Sequence, residues 1–573
     1  MCRLPLLVLI CALPCLAGTI SGRVFIDADG DGLWQATDTP CGGALVSAGS
    51  GIVATAADGT YTLTAADGPQ VVFVENPPQS WPLRSFWRHL ATGTGTADFP
   101  LRRQEQRLPF FFVQGTDLHT RPDVGDTMAK YVAAVNGLPF PVAFVVHTGD
   151  LVVDSAESTV EPARALFATY QRQVASLKPP LFNLPGNHEH VSWYKESFDA
   201  TAPGVGKGLY QEVFGPTHYA FNYGGVHFVA LDGTDFLDGM LRYSMPAACS
   251  AWFKAYLARV PATERLVLLV HEPLSSLPQK AELEQALAGR QVVLSLAGHW
   301  HSVTRQTFAG APEIVGGATS YAWHGTTPSS DAKAFHLVRI TDTGFDSVFG
   351  DWAEKYPVTI STPGYWAALA GQVDVKVAFL DPHAEVQSAQ IRLASVSQEV
   401  KAIGEAGLAR TASAMLDLAA LPDGIYDLYV TLRGAGEPFV ERQARLVRNG
   451  KEDAFTAAGP ATLTMRLNRV NAANLIKVNG EQVGTTPVQV APDQLFAVSV
   501  PANLLRRLNR IEFVSVLLPD GKTYDDFTAG PLALEYGGKA CRDPRTAAGS
   551  TATLNGTQPT TWPGWIDLAY PTP

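Results

Sequence analysis

Six apolar runs in the middle of the chain each end in glycine or in a residue that carries polar chemistry. They are PFFFVQG (109–115), VAFVVHTG (142–149), PLFNLPG (180–186), VHFVALDG (226–233), RLVLLVHE (265–272) and VVLSLAGH (292–299). Runs so uniformly apolar suit strands buried on both faces rather than strands with one wet side. Helical periodicity between them, near 125–136, 159–177, 249–259 and 280–288, supplies helices to cover those faces. The stretch from Leu108 to about Trp352 is therefore expected to be an α/β domain, with its strands covered by helices.

The flanks read differently. From Thr19 to about Glu75, short alternating segments (ISGRVFID, GALVSA, YTLTA, VVFVEN) broken by Gly and Asp predict a small β-sandwich, and the proline-rich and then polar stretch 76–106 predicts a linker. After Thr362 alternation returns in QVDVKVAFL, IYDLYVTL, LTMRL, FAVSV and IEFVSVLL, with Pro363-Gly364 and Asn449-Gly450 as joints. At 573 residues the chain exceeds a single core, and a multidomain architecture follows: a central α/β domain flanked by all-β sandwiches. The expected divisions are 1–17, 18–106 (sandwich and linker), 107–358, 359–451 and 452–573.

Arg3 precedes an apolar run, Leu4 to Leu16, too short to span a bilayer as a mature helix, with Pro14 and then the small residues Cys15 and Ala17 placed for cleavage. This predicts a signal peptide over 1–17, export to the periplasm or outside the cell, and no transmembrane anchor. Its removal leaves Cys41, Cys249 and Cys541, an odd and scattered set that does not indicate a disulfide framework. A net charge of −11 argues against long nucleic acid as a partner, because neutralising a phosphate backbone needs clustered Lys and Arg.

Five apolar runs end in groups able to bind a cation: Asp117 and His119 after the first, Asp150 after the second, Asn187-His188-Glu189 after the third, His271 after the fifth, and His299 with His301 after the last. Ligands in open α/β sheets collect at the carboxyl ends of strands, which is where all of these stand. Imidazoles, carboxylates and one amide without a thiolate suit Mn, Fe or Zn. Seven ligands are too many for one open catalytic ion, so two transition ions, divalent or trivalent, are expected.

The order D-x-H, G-D, G-N-H-E, H, G-H-x-H resembles the calcineurin-like metallophosphoesterases over about 240 residues, and FGPTHYAFNYGGVHFVALD (214–232) resembles the strand pair this family places between its third and fourth motifs. The flanking segments resemble the modules of one exported bacterial branch. The resemblance implies that Asp117, His119 and His301 hold one ion, that Asn187, His271 and His299 hold the other, and that Asp150 bridges them. It implies hydrolysis of a small phosphate mono- or diester by a hydroxide between the metals, with His188 facing the substrate as hydrogen-bond donor or acid. Val153 stands where purple acid phosphatases have tyrosine, which speaks against that subclass, and Asp154 lies one residue later than the acidic position of G-D-x-x-D and carries no assignment.

Two features stay open at this stage. Asp27, Asp29 and Asp31 with Asp38 at position 12 have the spacing of a structural calcium loop, and equally that of an acidic hairpin turn. Tyr194, Trp193 and the segment 320–324 could line a pocket or simply pack. The alternative to the enzyme is a catalytically silent, calcium-dependent surface or glycan-binding protein, resting on the β-rich flanks; the intact ligand set speaks against it.

Overall fold

The computed structural model describes residues 18–570, apart from 123–125, 320–321, 324–326, 329–333, 352–357, 382–384, 401–403, 407–408, 489–493, 548–551, 554–560 and isolated single positions. The expected signal peptide lies outside the described residues. No helix among them is long and apolar enough to cross a membrane.

The first apolar runs become the parallel strands Leu181–Leu184, Val142–Thr148 and Phe110–Gly115, extended by the antiparallel strands Ala334–Ile340 and Phe345–Asp351. The later runs build a second sheet in the order Tyr219–Tyr223, Val226–Ala230, Arg265–Leu269, Gln291–Ala297, Ala311–Val315, Thr304–Phe308. Tyr219–Tyr223 and Val226–Ala230 form the hairpin expected from the sequence. Its turn is Gly224-Gly225, both at positive φ (61° and 77°), a conformation glycine adopts without strain.

The strands are buried on both faces, though not by helices on both. Phe112, Phe144 and Phe182 of the first sheet meet Phe221 and Phe228 of the second in one aromatic layer: the Phe182 and Phe221 rings stack at 3.9 Å, and Phe144 lies 4.9 Å from Phe228. The alternate residues Val113 and Val145 point the other way, into a separate cluster with Tyr131, Val132, Phe167 and Tyr170 of the helices Thr127–Asn136 and Val160–Val174. The helix Ala247–Leu257 brings Trp252 and Phe253 to the second sheet. An apolar run signals two buried faces but not what buries them. Here one face of each sheet is covered by the other sheet.

The N-terminal residues form two facing sheets around Ile20, Val24, Val46, Leu63, Val72, Phe99 and Leu101. The stretch 76–106 is not a linker. It contributes the strands Ser80–Pro82, Trp87–Leu90, Gly95–Thr96 and Phe99–Arg103, the last running parallel to Gly18–Ile26. The prolines are accommodated at strand ends and as acceptors: Pro82 closes its strand, and the Pro100 carbonyl accepts the Leu83 NH at 3.1 Å. Trp81, 4 % exposed, inserts among Phe144, Phe182, Phe221 and Tyr223, with ring centroids 5.5–6.3 Å apart. Polar contacts reinforce this junction. Asn76 and Asn222 exchange hydrogen bonds of 2.9 and 3.1 Å, and the Glu75 carboxylate accepts from the Tyr256 hydroxyl at 2.8 Å while pairing with His227 at 2.6 Å.

Beyond residue 358 two further pairs of facing sheets follow, one around Val375, Val377, Ile391, Leu416 and Val430, the other around Leu463, Met465, Ile476, Ile511 and Phe513. Among the described residues Cys41, Cys249 and Cys541 are free, and Cys249 and Cys541 are buried.

Candidate metal centre

The polar residues cluster because the parallel strands stop together. Phe110–Gly115, Val142–Thr148, Leu181–Leu184, Arg265–Leu269 and Gln291–Ala297 end two or three residues before Asp117, Asp150, Asn187, His271 and His299, so the following turns converge at one edge of the sheet pair. Asp117, His119, Asp150, His299 and His301 all adopt positive φ, between 43° and 72°. For residues with a Cβ this left-handed backbone costs on the order of 1 kcal/mol or more each, and its concentration here marks a conformation imposed by the surroundings. Glycine spacing does the rest. A Cβ at Gly186 would stand 2.3 Å from the Asp150 carboxylate, and one at Gly149 2.5 Å from His271 Nδ1.

The seven residues fall into two groups. In the first, His301 Nε2 lies 3.1 Å from Asp117 Oδ1 and 3.0 Å from His119 Nε2, and His119 Nε2 lies 3.6 Å from Asp150 Oδ2. In the second, His271 Nε2 is 3.2 Å from Asp150 Oδ2 and 3.2 Å from Asn187 Oδ1. Asp117, His119, Asp150 and His301 present ligand atoms within 4.8 Å of one another, as do Asp150, His271 and His299, and Asp150 belongs to both sets.

Neighbouring hydrogen bonds aim these atoms. His271 donates its Nδ1 proton to the Thr148 carbonyl at 2.8 Å, which fixes the ring with Nε2 aimed into the site. The Asn187 amide donates to the Tyr194 hydroxyl at 2.8 Å, which turns its carbonyl oxygen inward. The Asp117 carboxylate accepts the His299 backbone NH at 3.0 Å and the Thr116 hydroxyl at 2.9 Å. Glu189, the acidic end of G-N-H-E, accepts the backbone NH groups of Asp150, Val152 and Gly186 at 2.7–3.1 Å and so fastens two ligand turns together. Its burial, with the Asp150 charge nearby, pushes its pKa up to about 8, against the pull of those amides.

Electrostatics make the pocket receptive to cations. Burial opposes ionisation of Asp150, yet His271 and His188 outweigh it and hold the carboxyl well below the ordinary value. Burial likewise opposes protonation of His271, but Asp150 wins and raises its pKa well above that of free imidazole. Burial keeps His119 and His299 neutral, the latter down at about 3, in the form that can coordinate. Carboxylates that draw a proton onto a buried imidazole attract a metal cation by the same field, and the donor set of imidazole, carboxylate and amide oxygen fits a borderline transition ion.

His188 sits beside the cluster, 5 % exposed, its ring edge-on to His119 at 4.8 Å and its Nε2 3.9 Å from Asp150 Oδ2. Asp154, left unassigned from the sequence, meets its other side: the backbone NH donates to His188 Nδ1 at 3.3 Å, from a residue at φ 55°. Tyr243, on the hairpin of Thr234–Leu237 and Met240–Tyr243, places its ring 4.6 Å from His299 and hydrogen-bonds Tyr194. Tyr243 supports the site without any spacing signal, because it reaches His299 and Tyr194 through tertiary contact. The side chains of 320–324 lie outside the described residues.

The acidic loop behaves differently. Asp27 accepts the Gly30 and Gly32 amides at 2.7 Å, Asp38 accepts those of Ala28 and Gln35, and Gln35 donates to both Asp29 and Asp31. Asp27, Asp29 and Asp31 converge closely enough to hold an ion; Asp38 is not part of that group.

Comparison with known proteins agrees with this site. The family model described as Calcineurin-like phosphoesterase matches residues 112–303, and that stretch is a calcineurin-like phosphoesterase domain. The chain is 25 % identical over 264 residues to the cAMP/cGMP dual specificity phosphodiesterase of Mycobacterium tuberculosis (strain CDC 1551 / Oshkosh), spanning 43 % of this chain and 78 % of that protein. Among solved structures, GAP50, the anchor in the inner membrane complex of Plasmodium, aligns with a TM-score of 0.30 at 14 % identity over 43 % of this chain and 85 % of that one. Phosphopantetheinyl hydrolase from Mycobacterium tuberculosis aligns with a TM-score of 0.24 at 17 % identity over 37 % and 90 %. Scores this low carry no argument, and the architecture rests on the strand order given above. The chain therefore carries a hydrolase domain of the phosphoesterase class with a His and Asp cluster able to hold metal.

Proposed function

We propose that the chain hydrolyses a small phosphate mono- or diester at a dinuclear centre, with Asp117, His119 and His301 on one ion, Asn187, His271 and His299 on the other, and Asp150 shared. The observation that carries this reading is the membership of Asp150 in both ligand groups. Bound ions would supply water ionised near neutral pH and positive charge for the phosphoryl oxygens.

The chain's own residues do the rest. The fixed turns hold the ligands in a buried pocket and limit competing water. His188 Nε2, on the substrate side of the cluster, donates a hydrogen bond to the phosphoryl group or a proton to the departing oxygen. Asp154 positions it by occupying Nδ1. In the same reading residues 1–17 direct export, the segments 18–106, 359–451 and 452–573 flank the hydrolase at 107–358, and the Asp27 loop is a candidate for a structural cation. The calcium-dependent binding protein is the weaker reading, because it leaves the buried, strained ligand cluster without a role.

A panel of 4-nitrophenyl mono- and diesters tests this directly. Turnover is expected with Mn, Fe or Zn, to fall to background after chelation and to return with metal. Absence of turnover of every ester with every metal would contradict it.

A further inference from the structure

A cavity of about 640 Å³ opens beside the candidate metal centre, lined by Glu157, Tyr194, Lys195, Ser197 and Arg469. Two links tie it to the chemistry. Tyr194 accepts the Asn187 amide at 2.8 Å and lies edge-on to His188 at 6.3 Å. Glu157 belongs to the short helix Ser155–Glu157, whose Ser155 hydroxyl donates to the His188 carbonyl. Tyr194 thus belongs both to the cavity wall and to the surroundings of His188.

Arg469 comes from a different part of the chain, directly after the strand Ala461–Asn468 in the last sheet pair. It stands at φ 58° on a turn held by the buried Asp525 carboxylate, which accepts the Asn471 and Ala472 NH groups at 2.8–3.1 Å. Its guanidinium reaches Glu157 at 2.7 Å across 312 residues of sequence. That pair is exposed, with 61 % and 49 % of the two side chains accessible, so it stabilises little and yields readily to a competing anion. The Lys195 ammonium has no ion-pair or hydrogen-bond partner among the described residues. In a chain with net charge −11, this wall carries two cations to one carboxylate.

We infer that this cavity is a subsite for a second anionic group on the substrate, a carboxylate or a further phosphate on the leaving group, recognised by Arg469 and Lys195 beside the Tyr194 ring. The inference rests on the phosphoesterase reading and makes the C-terminal sheets part of substrate selection. Arg469 presents a planar fork suited to carboxylate or phosphate, and Lys195 adds a mobile point charge.

Binding decides it without turnover. Phenylphosphonate and 4-carboxyphenylphosphonate are titrated calorimetrically into the full-length, Mn-loaded protein at constant ionic strength. The wild type should prefer the carboxylated probe by about tenfold, and the preference should fall to about one in Arg469→Ala and be reduced in Lys195→Ala. Glu157→Gln removes the same inter-segment ion pair but keeps Arg469, and should retain or enlarge the preference. Equal affinities in the wild type, a preference surviving Arg469→Ala, or its loss in Glu157→Gln would overturn the subsite while leaving the metal centre standing. Failure of the wild type to bind phenylphosphonate would overturn the phosphoesterase reading, and the subsite with it.

Discussion

Asp150→Asn is expected to remove nearly all phosphoesterase activity, by at least about a thousandfold, together with most of the bound metal. Two effects combine. Among the described residues the Asp150 carboxylate alone faces both ligand groups, 3.6 Å from His119 Nε2 and 3.2 Å from His271 Nε2, so one substitution weakens both ion sites. It also removes a negative charge from a fully buried place, where charge interactions are far stronger than in water. The amide is nearly isosteric and can still accept the His188 backbone NH, which Asp150 Oδ1 now receives at 3.0 Å, so the fold should persist. Metal content by mass spectrometry, ester hydrolysis and thermal unfolding separate these effects. Unchanged metal content with normal turnover would remove Asp150 from its bridging position.

His188→Ala should behave oppositely with respect to metal. The side chain lies beside the ligands without belonging to either ligand group, so the variant is expected to keep its full metal content. Its kcat should fall by about a hundred- to ten-thousandfold, the range typical of a lost general acid or transition-state donor. The loss should be greatest for esters with poor leaving groups, since an aryl oxide needs less protonation than an alkoxide. An equal loss for both leaving groups would assign His188 to phosphoryl binding, and a normal rate for both would exclude it from the reaction.

The clustering of the candidate ligands is largely legible in the sequence because its elements are local. A strand-ending turn that presents Asp, Asn or His leaves a short string, and five such strings in order at successive strand ends constrain one another. What supports the site was not legible. Glu189 was visible as part of G-N-H-E, but that its carboxylate gathers three backbone amides depends on how two turns meet. Tyr243 and Asp154 reach the site from a hairpin and an offset loop, and Arg469 reaches the neighbouring cavity from a turn after a remote strand, with no periodicity to announce them.

The fold shows the same division. Alternation in TYTLTA matches its buried and exposed positions directly, because side-chain direction in a strand is fixed by the backbone. The stretch 76–106 departs from the linker expectation because its prolines obscure the apolar residues that build strands there. Trp81, Phe99 and Leu101 are buried, and the prolines sit where a strand can spare an NH. The middle runs were correctly expected to be buried on both faces, yet apolarity cannot tell a covering helix from a facing sheet.

The central claim is that two ions share Asp150, and anomalous diffraction from crystals of the metal-loaded wild type tests it most directly. The account predicts two peaks about 3.5–4 Å apart, one among Asp117, His119 and His301 and the other among Asn187, His271 and His299, with Asp150 reaching both. A single peak, or none at these residues in protein that hydrolyses esters, would contradict it.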